Sequence, residues 1–303
     1  MAPLVSIIMP VYNDPVRVRE CIASIQAQTY QNWELIVVDD ESTDETPQVI
    51  KELMSSDPRI QLVRVPHFGN DETRCSGFPL INGQYVTFID SDDTWPTTSL
   101  EVRVNFLESH PDFLGVSGAY DAGSVRINTS DKSFDMVHFL KWEITRANWA
   151  YMFRSEIIKD FKLEPFGLYQ DAIVTYELIK KYPLQVCYID DLIYNYRVQA
   201  NSLSFNPSKQ LDRLKATLKT IQYFVNDTTV YREHKSLILD YAKKLLELEI
   251  HNAKATGKTK GLKHALRFYM KENYPHKKYL LHKAIWPGVI QNIMRQAKVL
   301  QQI

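Results

Sequence analysis

Three short apolar runs punctuate the first ninety residues: Val5-Ser6-Ile7-Ile8-Met9, Leu35-Ile36-Val37-Val38 and Tyr85-Val86-Thr87-Phe88-Ile89. Runs this rich in β-branched residues and this poor in polar alternation belong to strands covered on both faces. Between them lie stretches with apolar residues near helical spacing, such as Val16 to Gln28 with Val18, Cys21, Ile22 and Ile25. A further strand is expected over Ile60–Val65. Helices are expected over Pro47–Met54, with proline in the first turn, and over Thr98–Ser109. This βαβα succession predicts an α/β fold, a Rossmann-like, mostly parallel sheet flanked by helices.

In such a sheet, ligands bind beyond the carboxyl ends of the strands. The first run is followed by Pro10-Val11-Tyr12-Asn13, the second by Asp39-Asp40-Glu41-Ser42-Thr43-Asp44, and the Tyr85 run by Asp90-Ser91-Asp92-Asp93. Any one of these turns could simply end a strand or cap a helix. Together they crowd like charges at one edge, which costs free energy unless a cation neutralises them. A hard divalent ion, Mg²⁺ or Mn²⁺, held by one or two carboxylates and ligand phosphates answers that cost. Neither G-x-G-x-x-G nor G-x-x-x-x-G-K-[ST] occurs, which argues against dinucleotide dehydrogenases and P-loop enzymes.

Of the 303 residues, 45% are apolar and 24% charged, a globular composition that argues against disordered and disulfide-scaffold classes. Cys21, Cys75 and Cys187 are isolated and odd in number, so neither a disulfide framework nor a zinc site is expected and a reducing compartment fits. No basic stretch followed by an apolar one opens the chain, and no apolar run approaches about 18 residues. A cytoplasmic protein without a membrane span is expected. The zero net charge hides a segregation: from Lys254 onward eleven Lys and Arg face one acid, Glu272, a net of +10 that leaves −10 on the preceding 253 residues.

Farther along, the Gly-, Ser-, Asn- and Asp-rich stretch from Tyr120 to Phe134 is expected to be a flexible loop. A helix is expected over Asp171–Lys181, then two strands, Leu184–Ile189 and Leu192–Val198, around a turn at Asp190-Asp191. From Pro207 the pattern is helical, with breaks near Asn226-Asp227, Gly257 and Tyr274-Pro275. The expected organisation is a catalytic domain over 1–205, with 1–118 binding the donor and 119–205 facing the acceptor, and a basic helical extension over 206–303.

Residues Val5 to Asp93 resemble the nucleotide-binding half of the family 2 glycosyltransferases, which have the GT-A fold. The likeness runs through Pro10-Val11-Tyr12-Asn13, Gln28-Thr29-Tyr30, Glu34 to Thr43 as E-L-I-V-V-D-D-E-S-T, and Phe88 to Asp93, which contains a D-x-D motif. It continues in Arg74-Cys75-Ser76-Gly77, where the family has A-R-N-x-G and this chain has Cys75 for asparagine, and in Gly83-Gln84-Tyr85. The resemblance implies that Pro10, Val11, Tyr12, Asn13 and Asp40 belong to a UDP-sugar site, with Val11, Tyr12 and Asp40 lining the uracil pocket. It places Arg74 at the diphosphate and Asp92 beside the ribose and metal. Asp93 completes the metal site and Asp90 supports it from behind. Tyr194-Asn195-Tyr196-Arg197 is similar to the family's Y-x-Y-R, which puts Arg197 at the diphosphate; Arg197 could equally pair with Asp190 or Asp191.

Cleaving the bond from anomeric carbon to phosphate expels UDP with growing negative charge, which a divalent ion stabilises by several kcal/mol. UDP leaves without a general acid, so a single carboxylate base suffices, contributing roughly 10²–10⁴-fold. Gly167-Leu168-Tyr169-Gln170-Asp171 resembles the family's y-E-D-x-x-x-x-x-x-L, with Gln170 for the glutamate, and implies that Asp171 is that base. Read alone, Asp171 would also suit a helix N-terminus. Trp142 and Trp149 are candidates for a sugar-stacking platform or for the core. The resemblance thus implies an inverting, metal-dependent enzyme. It moves glucose, galactose or an N-acetylhexosamine from a UDP-sugar to a hydroxyl of a growing glycan, lipid-linked, in bacterial lipopolysaccharide, O-antigen or capsule synthesis. A sugar-phosphate nucleotidyltransferase and a non-catalytic carbohydrate-binding module are the rival readings. No nucleic acid is expected as a partner. The basic extension either docks on the catalytic domain or holds the enzyme peripherally at an anionic inner leaflet.

Overall fold

The apolar runs form the strands that their composition requires. In the computed structural model, which describes residues 2–122, 125–127, 133–159, 170–198 and 210–255, β1 (Val5–Val11) is buried throughout. It is followed by α1 (Arg17–Gln26), whose Val18, Cys21, Ile22 and Ile25 are buried, and by β2 (Trp33–Asp39). Next come α2 (Thr46–Ser56), with Pro47 in its first turn, β3 (Ile60–Arg64), α3 (Asn70–Ser76) and β4 (Tyr85–Phe88). After α4 (Ser99–Ser109) the chain forms β5 (Gly115–Ala122), β6 (Val125–Ile127), α5 (Met136–Lys141) and β7 (Tyr151–Arg154). A short α6 (Glu156–Lys159), α7 (Gln170–Lys181) and β8 (Val186–Tyr196) follow.

Among the described residues these strands make one mixed sheet in the order β3-β2-β1-β4-β7-β5-β6, with β8 joined to β5. β1 pairs in parallel with β2 and β4, and β2 with β3; β7 runs antiparallel between β4 and β5, and β8 returns parallel to β5. The register sets Val11 opposite Asp39 and Ile8 opposite Phe88. The polar turns after β1, β2 and β4 therefore leave the sheet along one edge, as the strand-end rule requires.

Two expectations need correction. The stretch from Tyr120 is not loop at its start: β5 continues to Ala122 and pairs with β6 as a hairpin. Asp190-Asp191 is not a turn either, because β8 runs unbroken from Val186 to Tyr196. Gly118 faces Ile189, Ala119 faces Leu192 and Tyr120 faces Tyr194, so the extra residues are absorbed as a bulge on the strand.

At the opposite end of β1, Glu34 is structural. It accepts from Ser6 Oγ (2.5 Å) and from Asn82 N (2.9 Å), while Gly83 N donates to Ser6 Oγ (2.8 Å). Arg103 of α4 is fully buried and donates to Ser99 O, Ser99 Oγ and Thr87 Oγ1, its guanidinium 4.9 Å from the Trp95 ring centroid.

The chain divides into two compact units, Met1–Val198 and Gln199–Ile303. The second contains α8 (Gln210–Asn226) and α9 (Thr228–Ala255). Asp227 separates them as expected, its carboxylate accepting from Val230 N. Phe224 meets Tyr241 edge-on and buried Arg213 lies 3.7 Å from buried Glu249, so the helices form an antiparallel hairpin. The breaks expected at Gly257 and Tyr274-Pro275, and nearly all of the +10 segment, lie outside the described residues. No described helix is long and apolar enough to cross a membrane.

A Cβ added to Gly83 would lie 2.5 Å from Leu4 O and 2.7 Å from Ser6 N, backbone atoms that cannot yield. Gly83→Ala should destabilise the protein by about 1–3 kcal/mol, read by differential scanning calorimetry as a fall in midpoint of roughly 2–10 °C. An unchanged midpoint would refute the close approach.

Candidate active site

The turns after β1 and β2 are laced together. Asn13, in the left-handed region at φ 48°, donates its N–H to Ser42 Oγ (2.9 Å) and accepts from Thr43 N at Oδ1 (2.8 Å), while Asp40 N donates to Val11 O (2.9 Å). Asparagine tolerates this backbone better than most residues. Pro10 and Val11 are buried in the strand end, whereas Tyr12 is 47% exposed, its ring 4.5 Å from that of His67.

Asp40 is placed inward of that aromatic pair. Only 3% exposed, it accepts from Phe68 N (2.7 Å), Gly69 N (3.0 Å) and Thr73 Oγ1 (2.6 Å), and its carboxylate lies 2.8 Å from His67 Nδ1. Its oxygens shape the loop that leads into α3, and Gly69 there adopts φ +91°, a conformation that costs glycine nothing. What faces outward at this edge is Tyr12, His67 and Phe68. The last two were not anticipated, although they directly follow β3 and the strand-end rule applied to that strand finds them.

The second group gathers around Arg74. This side chain is 1% exposed; it donates from one guanidinium nitrogen to Asp171 Oδ1 (3.0 Å) and from another to Asp90 Oδ1 (2.6 Å). The predicted base and the first carboxylate of the D-x-D motif, 81 positions apart, thus share one buried cation. Asp92 is half-buried and its carboxyl is shifted upward, first by burial and then by the charge of Asp90, with Arg17 opposing. Asp93 is pushed up to about 8, again by burial first and by Asp90 second. Fully buried Cys21 is raised for the same reasons, in the field of Asp93, Asp92 and Asp90. Charged carboxylates here are short of positive charge. Among the described residues no three His, Cys, Asp or Glu side chains converge as a complete metal cage. The carboxylate oxygens of Asp92 are of the hard donor type that Mg²⁺ or Mn²⁺ takes.

Asp93 faces inward and accepts from Tyr194 Oη (2.8 Å) and Arg197 N (2.7 Å). The Arg197 guanidinium meets neither Asp190 nor Asp191; it reaches Glu20 of α1 at 2.6 Å. Trp149 is no open platform. It is buried, stacked on Tyr194 at 4.2 Å and Tyr196 at 5.7 Å, while Trp142 lies under Arg146, 3.6 Å from its guanidinium carbon. The backbone of Gln170 opens α7, and its side chain lies outside what the structure describes.

Residues 6–182 match the family described as Glycosyl transferase family 2, and the chain belongs to it. The fold is the GT-A arrangement, with helices at the C-terminus, and the nucleotidyltransferase and binding-module readings lose their support. A Haemophilus influenzae protein named as an uncharacterized glycosyltransferase is 35% identical over 182 residues, 56% of this chain and 72% of its own. The Escherichia coli UDP-Glc:alpha-D-GlcNAc-diphosphoundecaprenol beta-1,3-glucosyltransferase WfgD is 29% identical over 216 residues, 69% of this chain and 83% of its own. Among solved structures, S. aureus TarS in complex with UDP-GlcNAc has a TM-score of 0.61 at 16% identity, covering 97% of this chain and 81% of that one, a likeness of fold.

Asp40→Ala would leave Phe68 N, Gly69 N and Thr73 Oγ1 without the carboxylate. Lost bonds to a charged acceptor correspond to roughly ten- to hundredfold in a local opening equilibrium. Chymotrypsin should therefore cut after the exposed Phe68 at least tenfold faster in the variant under native conditions. Equal rates would mean that the loop is held by other contacts.

Proposed function

We propose that this glycosyltransferase inverts the configuration of one sugar as it moves it from a UDP-sugar of the glucose, galactose or N-acetylhexosamine type to a hydroxyl of a lipid-linked glycan in bacterial surface-polysaccharide synthesis. The observation that carries the reading is the Arg74 bridge. It ties Asp171, the candidate base, to Asp90 in the donor-side turn, so base and donor site occupy one frame. The names of the relatives support the class of donor and acceptor: WfgD takes UDP-Glc and a diphosphoundecaprenol-linked GlcNAc, and the TarS complex holds UDP-GlcNAc.

In the proposed reaction the acceptor oxygen attacks the anomeric carbon opposite the diphosphate, the carbon–oxygen bond to phosphate breaks, and the acceptor proton passes to Asp171. Arg74 holds and orients one oxygen of Asp171. Tyr12, His67 and Phe68 offer ring faces and edges to the base, and Asp40 holds their loop. Asp92 would hold a divalent ion, which when bound neutralises charge on the departing diphosphate. Arg74 is itself buried and donates to two half-buried carboxylates, so its proposed role toward the diphosphate is indirect in this arrangement.

Asp171→Asn keeps the shape and cannot take the proton. Transfer, measured as UDP release with a panel of UDP-sugars, should fall about 10²–10⁴-fold while UDP binding by calorimetry survives. Excess EDTA should abolish transfer and Mn²⁺ or Mg²⁺ restore it. A normal turnover in either case removes the corresponding role, and an NMR product with the donor's configuration retained removes the single displacement.

The basic stretch from Lys254 onward is the proposed means of peripheral attachment. Basic residues near an anionic leaflet contribute on the order of 1 kcal/mol each, so sedimentation with anionic liposomes should be strong at low salt, weak at high salt, and absent with neutral liposomes. Binding indifferent to lipid charge and salt would leave the segment as packing.

A further inference from the structure

We infer that Asp93 is a positioning residue and not a metal ligand: with Tyr194 it latches the Asp90–Asp93 turn to the end of β8, and that latch sets where Asp92 meets the donor. The inference rests on the donor-site reading above and deepens it. Asp93 is 1% exposed, with Oδ2 accepting from Tyr194 Oη (2.8 Å) and Oδ1 accepting from Arg197 N (2.7 Å). Each oxygen thus already accepts a hydrogen bond, and burial turns the rest of the carboxylate away from the open edge where a ligand would lie. The Tyr194 hydroxyl, on a fully buried side chain, also accepts from Asp90 N (3.1 Å), so one phenol holds the first and last residues of the motif. Immediately beyond, Thr94 and Asn195 exchange both backbone hydrogen bonds, Thr94 N to Asn195 O at 3.3 Å and Asn195 N to Thr94 O at 2.9 Å.

Five hydrogen bonds therefore fasten residues 90–94 to residues 194–197 across some hundred positions of sequence. The tyrosine ring cannot swing to release them, because it is stacked on Trp149, and the Arg197 side chain adds a tie to Glu20 of α1. Asp90 and Asp92 are both half-buried in the turn; Asp90 is tied to Arg74, and Asp92 is the carboxylate that the donor reading assigns to the ligand. The β5–β8 half of the unit thereby controls the geometry of the donor half.

The test is calorimetric titration of UDP with and without Mn²⁺ for the wild type, Asp92→Asn, Asp93→Asn and Tyr194→Phe, with donor KM and kcat measured alongside. Asp92→Asn should lose the strengthening that Mn²⁺ confers. Asp93→Asn should keep it, within about threefold of the wild type. Tyr194→Phe leaves the Asp93 carboxylate intact and removes two bonds to the turn; its donor KM should rise about tenfold or more with a smaller change in kcat, since lost bonds to a charged group weaken an equilibrium by roughly ten- to hundredfold. The inference is overturned if a folded Asp93→Asn loses Mn²⁺-dependent binding as fully as Asp92→Asn, or if Tyr194→Phe has wild-type donor affinity and KM. A wild type that binds no UDP under either condition overturns the donor reading and this one with it, which distinguishes the two failures.

Discussion

Carboxylates gathered at the edge of a sheet repel one another, and the fold holds those here in several different ways. Asp39 lies 3.4 Å from Arg64 and accepts from Ser42 N. Asp40 is solvated by backbone N–H groups and the imidazole of His67. Asp90 and Asp171 share Arg74, and Asp93 takes a phenol and a backbone N–H. These arrangements differ in strength: a guanidinium between two carboxylates balances charge, whereas neutral donors only replace lost water. The upward shifts of Asp92 and Asp93 mark where burial and the charge of Asp90 are least compensated by the protein.

The two deeply buried arginines of the first unit show how differently such costs are met. Arg74 has two carboxylates, so its charge is balanced within the fold. Arg103 donates to hydroxyl and carbonyl oxygens and lies against the Trp95 ring, and burial pushes its guanidinium down to about 9. Arg103 joins α4 to β4 without entering the chemistry. Arg74 joins α3 to the turn after β4 and to α7, and removing Arg74 would leave two neighbouring carboxylates without the cation they share.

The β1, β2 and β4 part of the sheet was legible because its strands are covered on both faces and so read as apolar runs, with acids at the ends of β2 and β4. The same rule picked out Asp90, Asp92 and Asp93, and the Asp171 motif stood at the start of a helix that the structure contains. The rest was hidden for local reasons. β5, Gly-Val-Ser-Gly-Ala-Tyr-Asp-Ala, has two glycines and no apolar run; β7 has four residues; α3, Asn-Asp-Glu-Thr-Arg-Cys-Ser, has no apolar face. β8 was read as two strands because Asp190-Asp191 has the composition of a turn. Which acids turn inward depends on β8 arriving beside the Asp90 turn, a contact over a hundred residues long in sequence that no local pattern announces.

The bulge in β8 makes chain length between Cys187 and Tyr194 a quantity the fold must conserve. Side chains alternate between faces along a strand, so loss of one residue there would turn the Tyr194 phenol to the opposite face of the sheet. Loss of both Asp190 and Asp191 would instead set Ile189 and Leu192 opposite the consecutive Gly118 and Ala119 and keep Tyr194 opposite Tyr120. Substitutions at this exposed acidic pair touch only the rim, whereas a change of a single residue in length at the same place would act at a distance on the turn that Tyr194 holds. Chimeras with other members of the family that join across β8 are therefore constrained by whether the residue count at this exposed pair changes by an odd or an even number.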